Sequence, residues 1–150
     1  MRMMIPERLV PVLHRSSYDA WQALFEGASL DDNGDATIID GYRAQAKLLS
    51  VPCEAVITRS LREQTSVLLE GVHVQKSLID RIPSESGPIV IVIMLSVLNP
   101  AHLRERFRGR GQQIDKRRAE RYLQHFDEIW RLQSYLLSEA DRGQVPIIVN

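Results

Sequence analysis

Arg104, Arg106, Arg108 and Arg110 occupy every second position of one short stretch. On a helix, Arg106 and Arg110 share one face and Arg104 and Arg108 another, because residues four apart are neighbours. A guanidinium is a planar fork that grips phosphate or carboxylate with two parallel hydrogen bonds. Set over the ligand-binding end of a sheet, such forks clamp a transferring phosphate and neutralise the charge that develops on it. The same spacing also fits a solvated, salt-bridged surface helix. A nucleic-acid surface fits less well, since Phe107 is the one interleaved aromatic. The window His102–Arg121 carries +5, leaving −5 on the other residues of a chain whose net charge is zero. Arginine outnumbers lysine sixteen to three, as either a demand for forks or a codon bias would produce.

Glu70 is the carboxylate with the most chemical promise. It closes the apolar run Val67-Leu68-Leu69 and precedes Gly71. At a strand end it can coordinate or orient magnesium, directly or through water, or act as a base. It can equally be a structural carboxylate bonded to a helix N-terminus. Gly71 favours the chemical role, because glycine lets a backbone approach something closely. His73 and His102 have no ligand companions at zinc spacing. Ser16 and Ser17 sit in no Gly-x-Ser-x-Gly elbow. The lone Cys53 excludes an internal disulfide.

These groups need a scaffold, and the sequence outlines one. At 150 residues, with 44% hydrophobic and 25% charged residues, the chain is expected to be a single globular domain over 1–150. The apolar stretch Pro88–Leu95 is far short of the ~20 residues that cross a bilayer. No apolar h-region follows Met1, so the expected compartment is the reducing cytoplasm. Ser16 or Ser17 is positioned to cap a helix with Ala20, Trp21, Leu24 and Phe25 on its buried side, stopped by Gly27. Leu30–Asp35 reads as a loop and Ala36–Leu49 as a second helix. Pro52 starts a third, whose Cys53, Val56, Ile57, Ser60 and Leu61 share a face and make Cys53 a core residue.

The periodicity then changes. Val67–Leu69 and the β-branched run Ile89–Leu95 read as strands buried on both faces of a parallel sheet. Asn99 caps a helix that opens on Pro100 and runs to about Arg108. A long helix is expected from Ile114 to Arg142, ended by Gly143. Val145–Val149 reads as a last strand. The fold class is therefore α/β: a parallel sheet of three strands covered by about five helices. Three strands are few for such a cover, so the chain reads as the C-terminal two-thirds of a doubly wound domain. Ligands in such sheets bind beyond the strands' carboxyl ends, which selects Glu70–His73, Leu98–His102 and Asn150.

The residues also resemble a known family. Pro11-x-Leu13-x-x-Ser16-Ser17-Tyr18-x-Ala20-Trp21 forms one block and Leu69-Glu70-Gly71-Val72-His73 a second. His102, Arg106, Phe107 and Arg110 form a third. Tyr122-x-x-x-Phe126-x-x-Ile129-Trp130-x-x-Gln133-x-Tyr135-Leu136 is a fourth, and Val145-Pro146-Ile147-Ile148-x-Asn150 a fifth. Together, in this order, they resemble the 2-phosphoglycerate kinase-like P-loop proteins. The resemblance implies ATP- and magnesium-dependent phosphoryl transfer to a small phosphorylated acid such as 2-phosphoglycerate. It puts Glu70 on the magnesium side, Arg106 and Arg110 in a lid, and Asn150 near the adenine. Ser17, Tyr18 and His73 fall in its acceptor-side blocks.

The family's Gly-x-x-x-x-Gly-Lys-Ser/Thr loop, which cradles the nucleotide phosphates, does not occur in these 150 residues. Gly109-Arg110-Gly111 has neither its spacing nor its lysine. The expectation is a kinase-family fragment inactive by itself, partnered by a separate chain carrying that loop or by self-association. The alternative is a non-catalytic protein that binds a phosphometabolite or a partner. Neither reading involves a membrane.

Overall fold

The computed structural model describes residues 6–24, 34–82, 87–113 and 116–150. The chain divides into two compact units, Met1–Ile91 and Val92–Asn150.

The first unit is organised by one long helix. A single turn, α1 (Pro11–His14), and a 3-10 turn (Ala20–Ala23) lead to α2 (Gly34–Glu63), and a further turn, α3 (Lys76–Ile79), follows. The expected break at Pro52 is absent: the proline lies inside α2. The reason is the phase of the apolar face. Ile38, Tyr42, Ala46, Leu49, Cys53 and Ile57 are all buried at helical spacing, and the stripe crosses Pro52 without slipping. Burial of a continuous face outweighs the bond that proline removes. Cys53 is a core residue, as its spacing required.

The helix expected around Ala20–Phe25 is only the 3-10 turn, although Ala20 and Trp21 are buried. α2 already begins at Gly34, inside the expected loop Leu30–Asp35. Phe25, Gly27 and residues 30–33 lie outside the described residues. Gly41 explains how the 3-10 turn docks. A Cβ there would meet the backbone nitrogen of Trp21 at 2.3 Å, so the two backbones touch where only glycine fits.

Neither expected buried strand forms in full. Val67–Leu69 forms no strand with the described residues, and Leu68 is 89% exposed. In the run Ile89–Leu95, Ile89 is 93% exposed. The strand β1 covers only Met94–Ser96. Strand length follows the partner: β2 (Ile147–Val149) pairs with β1 in parallel, Met94 against Ile147 through Ser96 against Val149. The sheet is parallel, as expected, but has two strands among the described residues, accompanied by six helices.

In the second unit the last helix packs on that ribbon and the two before it pack on each other. Asn99 Oδ1 accepts the backbone N–H of Ala101 at 2.8 Å, capping α4 (Pro100–Gln113) as the Asn-Pro signal predicts. Gly109 does not stop it. The expected helix over Ile114–Arg142 is two, α5 (Lys116–Gln124) and α6 (Phe126–Arg142). His125 leaves helical dihedrals between them, while backbone bonds run on through its N–H to Arg121 and its C=O to Ile129. Ile114 and Asp115 lie outside the described residues. Val97, Leu103, Phe107 and Phe126 form the core, flanked by Tyr122, Leu123, Ile129 and Trp130. The helix ends at Arg142 beside Gly143, and the left-handed residue there is Gln144, at φ 53°.

Candidate functional site

In the first unit Gln45 is a polar residue fully buried on the apolar face of α2. Its amide nitrogen donates to the backbone carbonyls of Val12 at 2.6 Å and Arg15 at 2.9 Å. These carbonyls belong to the end of α1, where a short helix has no bond of its own to offer them. Gln45 Oε1 lies 2.9 Å from His73 Nε2, and Ser17 Oγ lies 3.3 Å from the same nitrogen. The His73 ring stacks on Tyr42, with centroids 5.5 Å apart and planes 14° off parallel. Tyr42 Oη donates to the carbonyl of Val72 at 2.9 Å, and Gln75 Nε2 reaches the same hydroxyl at 3.4 Å.

The network has a buried base and an accessible rim. Tyr42 and Gln45 are buried, whereas Ser17, His73 and Gln75 are half-buried, so solvent or a small ligand can reach the rim. Such an arrangement offers a hydroxyl, an imidazole and an amide to a small polar ligand.

Ser17 and His73, named from distant blocks of sequence, are thus brought together. Tyr18 is buried in the adjoining core. Glu70 is exposed, after a segment that forms no strand with the described residues. Gly71 has φ 150°, and a Cβ there would meet nothing within 4 Å. Its glycine serves a backbone conformation that other residues rarely adopt. A groove along α2, lined by Glu54, Ala55, Thr58, Arg59, Arg62 and Glu63, includes none of these residues.

In the second unit the parallel register sets the carboxyl ends of β1 and β2 side by side. The N–H of Asn150 donates to the carbonyl of Ser96 at 2.9 Å. Arg106 Nη2 donates to Asn150 Oδ1 at 3.2 Å, joining two nominated residues that stand 44 positions apart. Leu103 and Phe107 turn one side of α4 to the core, which leaves Arg106 and Arg108 exposed. Arg104 has other work: its guanidinium lies 3.7 Å over the Phe126 ring and 3.8 Å from Asp127. Arg110 belongs to the same helix, but its side chain lies outside the described residues. Among the described residues, no three of His, Cys, Asp and Glu converge as a metal site. No described helix is long and apolar enough to cross a membrane.

Sequence reasoning missed Gln45, Tyr42 and Gln75. For Gln45 the signal was present: a glutamine between Tyr42 and Leu49 on an otherwise apolar face must have buried partners.

No protein-family model matches the chain, and no solved structure matches it. Curated proteins do. A 2-phosphoglycerate kinase of Methanopyrus kandleri is 35% identical over the whole chain, which covers 44% of that protein. One from Methanococcus maripaludis is 33% identical, with 47% of its length covered. One from Pyrococcus horikoshii is 31% identical, with 46% covered. The chain thus spans about half the length of the curated relatives it matches. Over all its 150 residues, this chain is a homologue of the C-terminal ~45% of the 2-phosphoglycerate kinases.

Proposed function

We propose that these residues form the acceptor-binding and lid part of an ATP-dependent kinase for a small phosphorylated acid such as 2-phosphoglycerate. The observation that carries this reading is the similarity of the entire chain to several proteins of that name. In this reading Ser17, Tyr18 and His73 bind the acceptor. Arg106 and Arg110 close on the transferring phosphate, and Asn150, tied to Arg106, lies on the nucleotide side. The loop cradling the β- and γ-phosphates is contributed from outside these 150 residues, so the chain by itself does not turn over.

ATP and magnesium belong to the complete enzyme. Magnesium is commonly held by one or two carboxylates together with the substrate's phosphates. Glu70 is the carboxylate this reading assigns to it, directly or through water, and the described residues offer no closed cage. The sheet supports a missing neighbour. Leu95 and Val149 are each 58% exposed, and an exposed apolar sheet face is a surface that other chain covers. Its cover is a segment bearing the phosphate loop, in the same polypeptide or a separate one, or else a second copy.

The test uses the 150-residue chain with and without the N-terminal half of the Methanopyrus kandleri relative. Calorimetry is expected to detect 2-phosphoglycerate binding to the chain, weakened at least tenfold by Ser17→Ala with His73→Ala. ADP release from magnesium-ATP and 2-phosphoglycerate is expected only when both pieces are present. Turnover by the 150 residues alone, or no acceptor binding by them, refutes the division of labour.

A further inference from the structure

We infer that Gln45 is a positioning residue that fixes His73 in the tautomer with its proton on Nε2, so that Ser17 cannot pass a proton to the ring. The argument starts from two carbonyls. Val12 O and Arg15 O are acceptors only, and both lie within hydrogen-bond distance of one end of the Gln45 amide. That end must therefore be the NH₂ group, because the reverse orientation would set three oxygens against one another. The amide oxygen then faces His73 Nε2 at 2.9 Å. An amide oxygen cannot donate, so the hydrogen in this contact belongs to Nε2.

Ser17 Oγ, 3.3 Å from the same nitrogen, finds a donor there and not a lone pair. Its oxygen shares that hydrogen, and its own proton points elsewhere. His73 is thereby excluded as a general base for Ser17, which needs an unprotonated ring nitrogen at the hydroxyl. The Ser17–His73 pair is thus built to bind rather than to activate the serine through this ring. The stack on Tyr42 holds the ring plane, and Gln45 decides which edge carries the hydrogen.

This inference deepens the acceptor-site reading and rests on it only for the identity of the ligand. Long-range proton–nitrogen NMR of the ¹⁵N-labelled 150-residue chain reads histidine tautomers directly. The His73 signals are identified by their loss in His73→Gln. At a pH where the ring is neutral, the expected result is a protonated Nε2 and an unprotonated Nδ1. Ser17→Ala is expected to leave that pattern unchanged. Gln45→Met, of similar shape but without donor or acceptor, is expected to move both nitrogens toward the values of a mixed population.

A wild-type ring protonated on Nδ1 overturns the inference, as does a tautomer that changes in Ser17→Ala. If Gln45→Met fails to fold, the wild-type and Ser17→Ala spectra still decide. Adding 2-phosphoglycerate separates the two readings. An unresponsive His73 that keeps its Nε2 proton upholds the inference and refutes the acceptor site.

Discussion

Gly41→Ala and Gly109→Ala are the same chemical change inside two helices, and the structure gives them opposite signs. In an open helix interior, alanine is more favourable than glycine by about 0.8–1 kcal/mol. Gly109 meets that condition: a Cβ there has nothing within 4 Å. At Gly41 the added Cβ lies 2.3 Å from Trp21 N, 2.8 Å from Trp21 Cα and 2.9 Å from the carbonyl carbon of Ala20. All three atoms are backbone, so no rotamer change removes the overlap. Carbon atoms rest about 3.5–4.0 Å apart, and the 3-10 turn must therefore back away by roughly 1 Å.

The cost follows from what that turn buries. Trp21 is 6% exposed and Ala20 not at all. Overpacking of this kind costs about 1–3 kcal/mol, and part of the ~1.5–3 kcal/mol from burying a large apolar side chain is lost as the faces separate. Against these stands the gain in helix propensity of about 1 kcal/mol. The net expectation for Gly41→Ala is a loss of about 2–4 kcal/mol, which for 150 residues lowers Tm by roughly 5–15 °C. Gly109→Ala is expected to raise it by about 2–4 °C. Thermal unfolding followed by circular dichroism measures both. The turn begins where Asp19 N–H bonds Ser16 O at 3.1 Å, so Gly41→Ala is also expected to disturb the neighbouring Ser17–His73 contact. A Gly41→Ala protein as stable as Gly109→Ala refutes the packing.

Asn99→Ala removes the cap of α4 and is expected to cost about 1 kcal/mol in urea unfolding, whereas Asn99→Ser recovers most of it. Gln144→Gly relieves a left-handed residue and is expected to raise Tm slightly, while the β-branched Gln144→Val lowers it. Gln45→Leu leaves the carbonyls of Val12 and Arg15 without their donor and is expected to cost about 2–4 kcal/mol, seen as a lower urea midpoint.

Local chemistry was legible where a few adjacent residues decide the outcome. Asn99-Pro100 started a helix, Gly143 bordered the end of another, and Val145–Val149 supplied a parallel strand. Longer-range outcomes were not legible. The β-branched run Ile89–Leu95 became a strand only at Met94–Ser96, because a strand needs a partner and β2 offers three residues. Val67–Leu69 met no partner among the described residues. Likewise, sequence brought Ser17 and His73 into one site through resemblance, yet nothing local pointed to Tyr42 beneath the ring. Arg104 could be listed with the other arginines, but its commitment to Phe126 depends on how α6 packs.

Pro52 separates the local reading from the tertiary one most sharply. If it opened a new helix, its missing N–H would be an orphan in any case and its fixed φ an advantage. Pro52→Ala would then leave stability unchanged or lower it. Inside a continuous α2, the proline removes a bond and crowds the preceding turn, at about 3 kcal/mol relative to alanine. Its half-buried ring contributes some packing in return, so the expected gain from Pro52→Ala is about 1–2 kcal/mol. The apolar stripe from Ile38 to Ile57 would persist across the substitution, since Leu49, Cys53 and Ile57 keep their four-residue spacing. Urea unfolding reads the gain, and hydrogen exchange at residues 50–56 is expected to slow by at least tenfold. Unchanged exchange with reduced stability means that two helices meet at Pro52, and that the face carrying Tyr42 and Gln45 is not held by one rigid rod.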